Sequence, residues 1–176
     1  MIMTDRFEYK NKDAANNLIR YITRKRENED RAHELISYGF PYGNAYNKPI
    51  EHVIKEFEFI HNFYSAEGSL MCHYVMHFSP TIYDSVTKNL QILDCYAQEC
   101  CKYIFELGHQ VCYAIHISEK GRIHIHFALN TINFRTGHKL RQYPAEIKKN
   151  IEYPLNTILC KPYLHPTTAL TLDDLG

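Results

Sequence analysis

Apolar residues recur along this chain at two different spacings, one helical and one extended. Leu18, Ile19 and Ile22 follow Asp13 at helical steps, and Asp is a good capping residue, so a helix is expected from about Ala14 to Arg24. Lys25 to Asn47 is polar and broken by Gly39, Pro41 and Gly43, the composition of a loop. Pro49 suits the first turn of a helix reaching about Tyr64, with Ile50, Val53, Ile54, Phe57 and Ile60 on its buried side. Leu70 to Phe78 reads as a strand, ended by Ser79-Pro80. The longest periodic segment, Tyr83 to Leu107, repeats Val86, Leu90, Leu93, Ala97, Cys101 and Ile104 at steps of three and four, with Gly108 just past its end. Gln110 to Ile117 and Arg122 to Thr131 are strands joined through a short turn at Gly121. Pro144 opens a last helix to about Leu159, and Pro154 within it predicts a kink or early break. Helices interleaved with strands, two of them a hairpin, predict an α/β sandwich on a largely antiparallel central sheet with flanking helices.

The hairpin is the most informative part of the pattern. Side chains on a strand alternate between its two faces. On the second strand Ile123, Ile125, Phe127 and Leu129 share a large apolar face, while His124, His126, Ala128 and Asn130 take the other. On the first strand Val111, Tyr113, Ile115 and Ile117 oppose Cys112, Ala114 and His116. A turn centred near Lys120 sets His116 across from His124, with β-carbons roughly 5 Å apart, and His126 one pleat further on. Three imidazoles then converge beside small residues. Neutral imidazoles on one side of a divalent ion leave its remaining positions open to a substrate, the arrangement of a catalytic site. An H-x-H alone arises easily in a chain with eleven histidines, but a third histidine in cross-strand register is a stricter requirement. A register slip of one residue would undo it.

Composition narrows the picture further. At 176 residues the chain suits one domain, 1–176, and 45% hydrophobic content with nine Phe and fourteen Tyr argues for a folded core. The opening Met1–Lys12 is too polar for a signal peptide and no apolar run is long enough to span a membrane, so a cytoplasmic protein without membrane partners is expected. Six cysteines show no C-x-x-C spacing and several fall at apolar positions, which makes them structural. Twenty basic residues balance twenty acidic ones, an argument against non-specific nucleic-acid binding. Arg20, Arg24, Lys25, Arg26 and Arg31 nevertheless crowd one stretch, either as a solvated surface or as a local anion-binding patch.

The segment His116-x-Ser-Glu-(x)4-His124-x-His126-x-x-x-Asn130, followed by Thr-Ile-Asn-Phe-Arg-Thr-Gly-His-Lys-Leu140, resembles the metal motif of relaxases, the mobilisation nucleases of the HUH endonuclease superfamily. Leu18-Ile-Arg-Tyr-Ile-Thr-Arg-Lys25 resembles the family's N-terminal motif and places its nucleophilic tyrosine at Tyr21. His73-Tyr-Val-Met-His-Phe78 resembles the middle motif strand. Three departures stand out: the hairpin is one residue longer than the usual pattern, Ser118 stands where an acid is usual with Glu119 beside it, and His77 stands at a serine position.

The resemblance implies an HUH-like fold and a DNA relaxase that nicks single-stranded origin-of-transfer DNA for plasmid or element mobilisation. Tyr21 would attack the scissile phosphate, giving a 5′-phosphotyrosine link and a free 3′-OH, with Mg²⁺ or Mn²⁺ on His116, His124 and His126. A free tyrosine, with a pKa of about 10, is a poor nucleophile at neutral pH. The resemblance therefore gives the basic neighbours Arg20, Arg24, Lys25 and Arg26 a role at the phosphate backbone, with Asn130 as a further DNA contact and Glu119 as orienter of a histidine. Accessory DNA-binding and coupling proteins are implied as partners. Fourteen tyrosines leave other nucleophiles open, Tyr9 first and then Tyr38, Tyr42 and Tyr46. Rival readings are a rolling-circle replication initiator or transposase, in which the tyrosine usually follows the histidines, a DNA-binding accessory protein that keeps the fold with weakened catalysis, and a small metal-dependent hydrolase without a DNA role.

Overall fold

The computed structural model describes residues 3–23, 33–40, 48–78, 90–118 and 121–140. Along them run β1 (Met3–Tyr9), α1 (Ala14–Ile22), β2 (His33–Gly39), α2 (Ile50–Phe63), β3 (Met71–His77), α3 (Leu90–Glu106), β4 (His109–Ser118) and β5 (Ile123–Asn133). The strands make one sheet in the order β1-β3-β5-β4-β2, antiparallel at every pairing. Helices cover both of its faces, so the expected α/β architecture holds. None of the described helices is long and apolar enough to cross a membrane.

The two faces are built from different side chains. Tyr74 and Met76 of β3, Val111, Tyr113 and Ile115 of β4, and Ile125, Phe127 and Leu129 of β5 pack against Leu93, Ala97, Cys100, Cys101 and Ile104 of α3. The opposite face offers the small residues Cys112, Ala114 and Ala128, and on them lie Leu18, Ile19 and Ile22 of α1 with Val53, Ile54 and Phe57 of α2. Each buried aliphatic side chain contributes roughly 1.5–3 kcal/mol. Small residues beneath α1 let the helix come close to the sheet. Cys72, Cys100, Cys101 and Cys112 are buried and unbridged, and burial pushes the Cys112 thiol up to about 12, consistent with cysteines that act as packing.

Several expectations need correction. Two strands went unforeseen. β1 carries Asp5, Arg6 and Glu8 within seven residues, and β2 lies inside the stretch read as a loop. Among the described residues both lie at the edges of the sheet, where pairing with a strand remote in sequence defines them. Helix α1 ends at Ile22, and Asp13 makes no side-chain capping bond at its start. On α2 the buried position is His61 rather than Ile60. Gly108 ends α3 as expected, in the left-handed region at φ +94°, and Gly121 takes the hairpin turn at φ +70°. The start of the long helix, 83–89, and the helix expected over 144–159 lie outside the described residues, as does Cys160.

Asn130 ties the lower end of the sheet together. Its Oδ1 accepts from His61 Nε2 at 3.1 Å and from the Ile132 amide at 2.9 Å, while its Nδ2 donates to Gln110 Oε1 at 2.8 Å. Its carbonyl accepts from His109 Nδ1 at 3.0 Å. The side chain is fully buried. The Asn130 amide thus bonds within the core. Downstream, Asn133 Oδ1 accepts from the amides of Arg135 and Thr136, which folds the Thr-Gly segment into a turn.

Two outcomes follow from this network. Asn130→Ala leaves His61 Nε2 and the Ile132 amide without an acceptor, and should lower unfolding free energy by roughly 2–4 kcal/mol in urea titrations. Burial holds His61 and His109 below the usual histidine range, opposed in part by their bonds to Asn130. The unfolded chain takes up protons below about pH 6.5 while these imidazoles stay neutral in the fold. Their stabilisation is thus complete above that pH and lost as pH falls, by up to about 1.4 kcal/mol per pH unit for each. Urea titrations from pH 7.5 down to 5 should show the decline, with a shallower slope in His61→Gln.

Candidate active site

Pairing of β4 with β5 sets His116 opposite His124, the register expected from the alternation. His126 lies two residues along β5 on the same face, opposite Val75 of β3. The three rings meet with centroids 5.6 Å (His116–His124), 4.4 Å (His116–His126) and 4.7 Å (His124–His126) apart. All three are buried, and one nitrogen from each lies within 4.8 Å of the others.

Hydrogen bonds decide which nitrogen each ring has available. His116 Nε2 donates to the carbonyl of Ile22 at 2.5 Å, at the last turn of α1. His124 Nδ1 points at the carbonyl of Arg122 at 3.4 Å. His126 Nδ1 lies 2.7 Å from His73 Nε2 on β3. With protons at those positions, the lone pairs fall on Nδ1 of His116 and on Nε2 of His124 and His126. Metal-binding histidines usually direct their second nitrogen to a protein acceptor in this way. A divalent ion about 2.1 Å from each nitrogen spaces its ligands by about 3–3.4 Å, which small side-chain rotations reach from here. The donor set fits the expected divalent metal.

Helix α1 carries the nucleophile candidate to this cluster. Leu18, Ile19 and Ile22 fasten the helix to the sheet, which turns Tyr21 toward the histidines. Its half-buried ring stands edge-on to His73 at 5.7 Å and to His126 at 6.1 Å. Tyr9, the alternative on β1, contacts His73 at 6.3 Å, while Tyr38 lies on β2; Tyr42 and Tyr46 lie outside the described residues. Among the remaining site residues, Arg20 Nη1 meets Glu51 at 3.5 Å in a partly exposed pair. Such pairs contribute about 0–1 kcal/mol, and Arg20 Nε also donates to Asn16 Oδ1 at 2.9 Å. Arg24, Lys25, Arg26 and Glu119 lie outside the described residues.

Sequence reasoning placed His73 and His77 on a motif strand without giving either a task. In the fold β3 sits beside β5, so both rings face the triad: His77 stacks on His124 at 5.8 Å and His73 on His126 at 5.0 Å. Burial pushes His73 down to about 4, and the neighbouring His124 acts in the same direction. The alternation of β3 carried a clue, since His73 and His77 stand four residues apart on one face, but its neighbour strand did not show in the sequence.

Calorimetric titration with Mn²⁺ should give one site per chain. His124→Ala or His126→Ala should weaken it by more than roughly 100-fold, since even outer partners of ligating histidines contribute 10–100-fold.

No curated protein sequence matches the chain. A solved structure described as "Molecular Basis of Vancomycin Resistance Transfer in Staphylococcus aureus" is similar over 90% of this chain and 92% of its own, at 12% identity and a TM-score of 0.45. The sequence model of the relaxase family, MobA/VirD2-like nuclease domain, matches residues 21–161, a span that starts at Tyr21 and contains the three histidines. That match covers most of the chain, which therefore belongs to the MobA/VirD2-like relaxase nuclease-domain family.

Proposed function

We propose that this relaxase domain nicks one strand of single-stranded DNA at an origin of transfer, with Tyr21 as nucleophile and the histidine triad as its metal centre. The observation that carries the reading is the placement of Tyr21: its ring packs against His126, a member of the triad, and against His73, which bonds to His126.

The reaction is a transesterification. The bond from Tyr21 Oη to phosphorus forms as the bond from phosphorus to the 3′ oxygen breaks. The proton lost by the phenol is matched by one gained by the departing oxygen, so a 5′-phosphotyrosine and a free 3′-OH result. The covalent link retains the phosphodiester for later rejoining. A divalent ion held by His116, His124 and His126 would polarise the non-bridging oxygens as a Lewis acid. The chain's own residues do the positioning. α1 sets the tyrosine beside the triad, and the carbonyl of Ile22, the residue directly after Tyr21, holds His116. The nucleophile candidate and the acceptor that orients His116 thus share one helical turn. Arg20, with Arg24, Lys25 and Arg26 following it in sequence, supplies positive charge for the DNA backbone. Glu119 remains a candidate to orient His116 or His124 from the hairpin turn. Accessory DNA-binding and coupling proteins complete the proposed setting.

The test is an adduct assay. Single-stranded oligonucleotides tiled across the DNA flanking the gene are incubated with protein and Mn²⁺ or Mg²⁺, then resolved on a denaturing gel. A metal-dependent covalent adduct is expected, abolished in Tyr21→Phe and retained in Tyr9→Phe. An adduct that survives Tyr21→Phe and vanishes in Tyr9→Phe would move the nucleophile to β1. Absence of any adduct while Mn²⁺ still binds would replace nicking with a DNA-binding accessory role.

A further inference from the structure

We propose that His73 is the positioning residue of the metal centre: it accepts the Nδ1 proton of His126, which keeps Nε2 of His126 as a ligand, and its ring seats Tyr21 beside that ligand. The first part rests on the triad alone; the link to Tyr21 rests on the nicking reaction proposed above.

The geometry comes from cross-strand pairing. Val75 lies opposite His126, and His73 lies opposite Ala128, so His73 is the diagonal neighbour of His126. Ala128 is the smallest chiral residue and leaves its partner room to lean along the sheet. His73 uses that room: its ring lies nearly parallel to His126, 23° between planes, with nitrogens 2.7 Å apart. The ring is also walled in. Phe7 at 5.8 Å, Tyr9 at 6.3 Å and Tyr21 at 5.7 Å surround it, and it is 3% exposed. A ring so enclosed holds one orientation, and so does the ring bonded to it.

Only one direction of that hydrogen bond serves a metal. With His73 accepting, the proton of His126 sits on Nδ1 and the Nε2 lone pair is available. With His73 donating, the proton moves to Nε2 and His126 is lost as a ligand. In the family pattern an acid follows the first histidine, and here that position is Ser118, whose Oγ accepts from the Arg122 amide. A neutral imidazole on the neighbouring strand supplies an acceptor from another direction.

Two measurements on the whole chain test the proposal. Calorimetry with Mn²⁺ should show affinity falling roughly 10–100-fold in His73→Leu and recovering most of that loss in His73→Gln, whose Oε1 can accept the same proton. Imidazole ¹⁵N shifts of the metal-free protein should report the Nδ1–H tautomer at His126 in the wild type and in His73→Gln. Unchanged Mn²⁺ affinity in His73→Leu overturns the proposal. If His73→Leu does not fold, His73→Gln decides: near-native affinity with the Nδ1–H tautomer supports it, and the Nε2–H tautomer in the wild type overturns it. Neither measurement involves DNA, so a failure of the nicking reaction leaves both standing, and nicking by Tyr21 does not protect the proposal from them.

Discussion

The antiparallel pairing of β4 with β5 is the constraint on which the site depends. It puts His116 across from His124 and sends the alternate residues of both strands to the other layer. Side chains repeat every two residues, so a slip by one would carry the histidines into the layer of Tyr113, Ile115, Ile125 and Phe127, and bring those large residues under α1. Neither exchange packs: the α1 side is floored by Cys112, Ala114 and Ala128, and has no space for an aromatic layer. The register that brings the three histidines together is therefore the one that the hydrophobic core also requires, and stability and site geometry select the same pairing.

Helix α1 works under a similar double demand. Its apolar residues fasten it to the sheet, and its last turn delivers two groups to the histidines: the Tyr21 ring and the Ile22 carbonyl. A backbone carbonyl is a partner that mutation of a side chain does not remove. Moving α1 along the sheet would shift the nucleophile candidate and the orienter of His116 together, which keeps their spacing to the metal centre coupled. The histidines themselves are held by three unlike acceptors, one helix carbonyl, one hairpin carbonyl and one imidazole of β3.

The polar residues buried on this face divide by function along the sheet. Toward the hairpin turn lie the triad and its supporting rings. Toward the other end His61, Asn130, His109 and Gln110 bond to one another and join α2 to β4 and β5. Asn130 belongs to the motif by sequence and to this second network by structure. Buried polar groups of this kind are normally hydrogen-bonded, and here the bonds run between α2 and the two hairpin strands.

Local periodicity was enough for much of this protein. The three described helices, the strand at Met71–His77, the hairpin, its register and the convergence of three histidines were all legible, because each follows from spacing within one segment or across one short turn. The edge strands β1 and β2 were not legible, since an edge strand is defined by a partner remote in sequence and needs no apolar face of its own. For the same reason His73 carried no role in the sequence: its bond to His126 spans 53 positions and exists only because β3 is laid beside β5. The sequence by itself determined which residues point the same way within an element. Only the tertiary structure decided which elements face each other, because strand order depends on long-range packing that no local pattern records.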